Sequence, residues 1–112
     1  MDCLFCKIAA GEIPSTKVFE NDDILAFRDI DPQAPFHAII IPKQHITSAA
    51  EINAENSGIA AKIFEAVSLI AKEQKLEKGF RIVTNCGEEG GQTVGHLHFH
   101  MLAGRNLGWP PG

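Results

Sequence analysis

His96-Leu97-His98-Phe99-His100-Met101-Leu102 is the stretch that decides the reading of this chain. In an extended strand successive side chains point to opposite faces, so residues two apart share a face. The run therefore predicts a strand that projects three imidazoles one way and Leu97, Phe99 and Met101 the other. The apolar set reads as a core face. The polar face of a plain surface strand is ordinarily Thr, Lys, Glu or Gln. Here it takes three of the chain's five His, the side chain that titrates near neutrality and binds metals most often.

Three uses of such a row stand side by side. One is a polar face that is His without further purpose. Another is a zinc site in which the three rings converge, with an open fourth position that activates water. The third is nucleophilic attack on phosphorus by one neutral imidazole, its neighbours holding phosphate oxygens or protonating a leaving group. The segment just before the strand favours phosphate. Glycines 87, 90, 91 and 95 allow close backbone approach and positive φ. Gln92 and Thr93 add polar donors, and amides in such a turn form an anion-binding nest.

Working outward, residues 3–10 read as a short helix closed by Gly11. Lys17–Glu20 and Ile24–Arg28 read as strands around an Asn21-Asp22-Asp23 turn. Asp29 to Pro35 is a loop with two prolines. His37–Ile41 has the Ile content of a strand buried on both faces, ended by Pro42. One or two helical turns fit 45–52. Asn53 is expected to cap the main helix, about 54–76, whose apolar positions Ile59, Ile63, Phe64, Val67, Ile70 and Ala71 follow the helical period. Phe80–Asn85 is a further strand, and the tail from Leu107 is irregular. Strands, one long helix, then strands again predict an α+β fold, an antiparallel sheet with its helix on one face.

At 112 residues, with 45% hydrophobic and 21% charged side chains, the chain forms a single domain, 1–112, with a core that needs no disulfides. Its longest apolar run, Ala38–Ile41, is too short for a membrane span, and with no basic stretch followed by an apolar one after Met1-Asp2-Cys3 no secretion signal is expected. A net charge of −4 with no basic block argues against nucleic acid as a partner. Three Cys is an odd count, which fits a reducing cytoplasm. Cys3-Leu4-Phe5-Cys6 alone is ambiguous among a metal knuckle, a redox pair and accident. The thioredoxin-like arrangement wants a preceding strand, for which residue 3 leaves no room.

Four motifs in order carry a resemblance across nearly the whole chain. The His96–Leu102 run resembles the signature of the histidine triad superfamily, alternating His with apolar residues. Asp29-Ile30-Asp31-Pro32-Gln33-Ala34-Pro35 with His37, then Gly91-Gln92-Thr93-Val94, then Trp109-Pro110-Pro111-Gly112, are similar to its nucleotide-binding, or Hint, branch. The resemblance implies the HIT-like fold: a five-stranded antiparallel sheet with one long helix and a short N-terminal helix, the sheet extended across a homodimer. It implies hydrolysis of purine nucleoside phosphoramidates through a nucleotidyl-histidine intermediate, with no cofactor required for catalysis. The alternative is a nucleotide-binding or scaffold protein with vestigial hydrolysis.

Residue by residue, the resemblance makes His98 the nucleophile, His100 the group that assists the leaving amine, and His37 and His96 their neighbours. Asn85 and Thr93 match phosphate-holding positions, with Gly91 and Val94 supplying nearby backbone. Asp29 matches the acid that takes the ribose hydroxyls; the plainer alternative is a turn acceptor before Asp31-Pro32. Phe5, Ile8, Ile13, Phe27 and Ile30 match the apolar slot for the base. Trp109 resembles the tail residue that reaches towards the partner's site. Thr93 stands where Ser is common, Gly95 where a bulkier residue is common, and Cys86 adjoins Asn85. Cys3, Cys6, His45 and His96 match a zinc set found in some bacterial members, and Cys₂His₂ is chemically complete for a structural site.

Overall fold

The computed structural model describes residues 2–112. In chain order it has helix α1 (Leu4–Ala9), strands β1 (Lys17–Glu20), β2 (Ile24–Arg28) and β3 (Phe36–Pro42), a 3₁₀ turn (Ala49–Glu51), helix α2 (Gly58–Glu73), and strands β4 (Arg81–Val83) and β5 (Phe99–Ala103). The strands form one antiparallel sheet in the order β1-β2-β3-β5-β4. Among the described residues no helix is long and apolar enough to cross a membrane.

Strand β3 is central and buried along its whole length, as its Ile content predicts. Its alternation divides the interior in two. Ala38 and Ile40 join the larger core under α2, while Ile39 and Ile41 join a smaller one under α1 with Phe5, Ile8, Leu25 and Phe27. Helix α2 contributes Ile59, Ile63, Ala66, Val67 and Ile70 to the larger core. Each such fully buried aliphatic side chain stabilises the fold by roughly 2 kcal/mol relative to exposure.

The His run obeys the predicted alternation but not the predicted element. The β5 ladder begins only at Phe99, and His96-Leu97-His98 lies ahead of it, held by the Leu97 N–H donating to the Ile46 carbonyl at 2.6 Å. Leu97 and Met101 nonetheless enter the α2-side core, and the three imidazoles lie on the α1 side. In register, Ile39 faces His100 and His37 faces Leu102, which sets His37 on the same face beside the row.

Helix α2 is shorter than the sequence predicts. Asn53 caps a separate turn: its side-chain oxygen accepts from Glu55 and Asn56 N–H at 2.8 and 3.1 Å, and Asn56 returns a bond from Asn53 N–H at 2.7 Å. The helix then starts after Ser57 with no side-chain cap. It ends before Lys75, whose φ of 56° is left-handed. Phe64 is expected on the core face but is 53% exposed, leaning edge-on against Phe99 at the margin of the stripe. Strand β4 keeps only Arg81–Val83 of the expected 80–85, since it is an edge strand paired with β5 alone.

Candidate functional site

The His98 ring is buried, and its Nδ1 lies 2.7 Å from the His96 carbonyl. A carbonyl only accepts, so the proton sits on Nδ1 and the lone pair on Nε2. That Nε2 has no partner among the described residues. Phe5 packs edge-on against the ring at 5.0 Å, and His100 lies 5.3 Å away on the other side. The result is an imidazole whose Nδ1 is tied down by the His96 carbonyl and whose Nε2 is left as a nucleophile or base.

A second chain of bonds fixes the neighbours. The Gln33 N–H donates to His37 Nδ1 at 3.0 Å, so neutral His37 carries its proton on Nε2. That nitrogen lies 2.9 Å from His100 Nδ1 and 3.3 Å from an Asp29 carboxylate oxygen. His100 Nδ1 therefore accepts, and its own N–H is on Nε2, free to donate. Burial pushes the His100 imidazole below its usual range; the neighbouring His98 and His37 add to this, and Asp29 opposes it. Neutral His100 is thus the form that the surroundings favour.

His96 is oriented the opposite way. Its Nε2–H donates to the Pro42 carbonyl at 2.8 Å, which leaves the Nδ1 lone pair facing two sulfurs: Cys3 Sγ at 3.3 Å and Cys6 Sγ at 3.6 Å. His45 Nδ1 lies 3.3 Å from Cys6 Sγ, and all four ligand atoms are within 4.8 Å of one another. A tetrahedral zinc ion has sulfur–nitrogen edges of about 3.5 Å, so the four residues fit such an ion. The Pro42 carbonyl serves as the outer partner that a metal-bound imidazole needs. Burial lowers the His96 imidazole despite that carbonyl, and burial with the adjacent Cys3 raises the Cys6 thiol. An ion at the centre reverses the effect on the thiol.

Asp29, His37 and His100 also place three ligand atoms within 4.8 Å, yet this set does not suit a metal. Ligation through His37 Nε2 needs that nitrogen bare, while the Gln33 N–H already claims the lone pair on Nδ1. The ring would have to lose both protons. The three triad rings do not converge on a centre either: His96 belongs to the cysteines, His100 to His37, and His98 stands between them.

A cavity of about 410 Å³, within the usual range for small-molecule sites, is lined by Phe5, Ile8, Phe27, Asp29, Ile30 and Ile39 among others and meets the row through Phe5, which packs on His98, and Asp29, which faces His37. Ile13 packs behind it against the α1-side core. Asp29 makes the turn bond: one oxygen accepts the Asp31 N–H at 2.8 Å, and the other faces His37 at 3.3 Å. Asn85 is half-buried, and Trp109 is 84% exposed.

The glycine loop divides its labour. Gly87 and Gly91 hold positive φ, 73° and 78°, and a Cβ on Gly90 would sit 2.3 Å from the Cys86 carbonyl oxygen. The amides of Gly87, Gly91 and Gln92 are satisfied inside the loop, so an anion cradle falls to the residues after Gln92. Gln92 itself differs from the sequence expectation. Its amide donors brace the Thr47 and Val94 carbonyls at 2.8 and 3.0 Å rather than standing free at the strand's mouth. Thr93 and Val94 border a cleft of about 510 Å³ with Cys3, His45 and Gly95. Gly95 has open space where a Cβ would be.

Three contributors escape sequence reasoning. Thr84 donates its hydroxyl to the His98 carbonyl at 2.8 Å. Gln33 acts through its backbone, and Pro42 through its carbonyl. Backbone contributions leave no mark in side-chain identity, and Thr in a strand is unremarkable. Arg81 was likewise unmarked; it holds the tail by donating to the Leu107 and Gly108 carbonyls at 3.3 and 2.7 Å.

A family model described as the HIT domain matches residues 10–107, and the chain belongs to that family. The fold matches the crystal structure of a HIT family hydrolase from Legionella pneumophila Philadelphia 1 with a TM-score of 0.96 and 52% identity, over 99% of this chain and 100% of that one. A 14 kDa zinc-binding protein of Brassica juncea is 44% identical, covering 99% of this chain and all of the relative. A protein of Arabidopsis thaliana named adenylylsulfatase HINT1 is 45% identical over 97% of this chain and 76% of its own length.

Proposed function

We propose that this chain is a Hint-type hydrolase that cleaves the P–N bond of purine nucleoside phosphoramidates. The observation that carries the reading is the His98 bond to the His96 carbonyl, 2.7 Å long, which ties down Nδ1 and leaves Nε2 to attack. The base would lie in the cavity of Phe5, Ile8, Phe27 and Ile30, with Ile13 behind it and Asp29 on the ribose. Asn85, Thr93 and the Val94 backbone would hold the phosphate, with Gly91 shaping the loop through its positive φ rather than through its amide. His98 Nε2 attacks phosphorus and forms the N–P bond as the P–N bond to the amine breaks. His100 Nε2–H hydrogen-bonds the departing nitrogen, which takes its proton from solvent, and His100 Nδ1 is held by His37. Water then releases the nucleotide from His98 and the proton inventory is restored.

Cys3, Cys6, His45 and His96 would hold a structural zinc ion. Bound there, the ion supplies a rigid cross-link, and the reaction itself needs no metal. Supporting a homodimer are the open edge of β4 and the adjoining apolar surface, where Phe64, Val67, Leu76, Phe80 and Ile82 line a cavity of about 700 Å³. The exposed Trp109 would then reach the partner's site. An acidic chain without a basic block supports a small nucleotide over nucleic acid as ligand and, with its free thiols, a cytoplasmic setting.

The test is His98→Ala with an adenosine phosphoramidate. Turnover should fall about a thousandfold or more, the usual effect of losing a covalent nucleophile, while AMP still binds. Rapid quenching of the unsubstituted protein should give a peptide containing His98 with the mass of an added nucleotidyl group. Undiminished turnover in the variant would refute the assignment. The Arabidopsis relative's name gives a second substrate to run in parallel, adenylyl sulfate, whose faster turnover would move the scissile bond from P–N to P–O. Binding of AMP with neither turnover nor adduct would favour the scaffold reading.

A further inference from the structure

We propose that Cys3 and Cys6 are a reversible oxidation site for low-molecular-weight disulfides, and that closing the Cys3–Cys6 disulfide unclamps His98. The inference goes beyond the hydrolase reading: it takes the proposed zinc-bound state as its starting point and rests on the hydrolase reading only where nucleotide affinity is the readout. Four observations carry it. Cys3 caps α1 and Cys6 follows one turn later, its N–H donating to Cys3 Sγ at 3.3 Å, with the two sulfurs within 4.8 Å. The sulfurs touch His96 at 3.3 and 3.6 Å, and the carbonyl of that same residue holds the His98 ring at 2.7 Å. Phe5, between the two cysteines, packs against His96, His98 and Phe27 at 6.0, 5.0 and 5.6 Å. Finally, the cleft of about 510 Å³ bordered by Cys3, His45 and Gly95 gives a small molecule a way in, and Cys6 is only half-buried.

Every route from the cysteines to the nucleophile is therefore short and direct. One runs through the His96 ring to its carbonyl, the other through Phe5. The cation-loaded thiolates keep both in place.

The chemistry balances with the disulfide as oxidant. The Cys6 thiolate attacks one sulfur of RSSR, forming a mixed disulfide and expelling RS⁻. The Cys3 thiolate then attacks Cys6 Sγ, closes the Cys3–Cys6 bond and expels the second RS⁻. Two electrons pass from the two protein sulfurs to RSSR, and solvent protonates the two thiolates released. Zinc, left with His45 and His96 alone, departs. His96 Nδ1 loses its partners, and α1 loses the anchor at its start.

The test uses the full-length zinc-loaded protein carrying Cys86→Ser, so that the exposed third thiol does not react. It is treated with oxidised glutathione, with three readouts. The expected results are one zinc released per chain to a chromogenic chelator, a loss of two mass units in the peptide spanning Cys3 and Cys6, and a tenfold or greater weakening of AMP binding. Dithiothreitol with added zinc should restore all three. Rapid solvent exchange of the His98 Nδ1–H after oxidation, against slow exchange before it, would support the unclamping independently of nucleotide. Thiols that resist glutathione disulfide would overturn the proposal. So would a disulfide that forms while His98 exchange and AMP affinity stay unchanged. Reduced, zinc-loaded protein that binds no AMP would defeat the hydrolase reading instead, and zinc release with His98 exchange would still decide the oxidation site.

Discussion

Two clusters flank His98, each built around a pair of His and suited to opposite chemistry. On one side His96 and His45 meet Cys3 and Cys6; on the other His37 and His100 meet Asp29. The difference lies in one backbone group apiece. At His96 a carbonyl, Pro42, takes the ring proton at Nε2 and leaves a lone pair facing the sulfurs. At His37 an amide, Gln33, takes the lone pair at Nδ1 and forces the proton to the ring edge that meets His100. A lone pair among thiolates makes a cation site. A hydrogen bond handed from ring to ring makes a relay that fixes which edge of His100 carries its proton. The lesson is that a His cluster is read by which backbone group holds the far nitrogen, not by residue type.

The largest expected effect separates the clusters by metal dependence. Removing zinc from the cysteine side with a strong chelator, or one ligand through Cys6→Ser, should lower the melting temperature by roughly 10–20 °C, since structural zinc contributes folding free energy directly. The same chelator should leave the chemistry of the Asp29 side untouched in any protein that remains folded. An Asp29→Asn protein whose melting temperature depends on added zinc more steeply than the parent's would break the comparison.

Next in size is the relay. Asp29→Asn keeps the turn acceptor for Asp31 and removes the charge beside His37. Turnover should fall about tenfold, the scale of one charge-assisted hydrogen bond. Asp29 is the one neighbour that raises the His100 imidazole, so its loss lowers that group further. The acid limb of the kcat/KM profile should therefore move to lower pH. A limb that stays in place would detach His100 from it.

Acid stability should show a smaller effect with a definite sign. His100 is lowered in the folded state, chiefly by burial, and His96 likewise in metal-free protein. The unfolded chain then binds more protons than the folded one below the ordinary imidazole value of about 6.5. Their contribution is complete above that pH and is lost as pH falls from it towards the lower folded values. Thermal melts of metal-free protein between pH 7.5 and 5 should decline across this window, and a flat profile would contradict the assignment of neutral rings. The smallest change is Thr84→Val. It removes the hydroxyl that holds the His98 carbonyl and should cost about 1 kcal/mol in a denaturant melt, with turnover reduced only a few-fold.

Much of this architecture is legible before folding is considered. Alternation at 96–102, the Ile run of β3 and the helical period of 59–70 each place apolar residues on one face, and burial follows because apolar surface avoids water at every scale. Strands β1 and β2 match their predicted bounds for that reason. The start of α2 does not, because Asn53 and Asn56 bond to one another, a choice that composition leaves open. Phe64 has the period of a core residue but stands at the margin of the stripe, where burial depends on what lies opposite.

The sequence by itself determined that three imidazoles share a face, that two cysteines lie one turn apart, and that an acid precedes the central strand, since periodicity is a property of the local backbone. Only the tertiary structure decided which nitrogen of each ring carries the proton. That depends on the Pro42 carbonyl, the Gln33 amide and the His96 carbonyl, groups every residue possesses and only packing can aim.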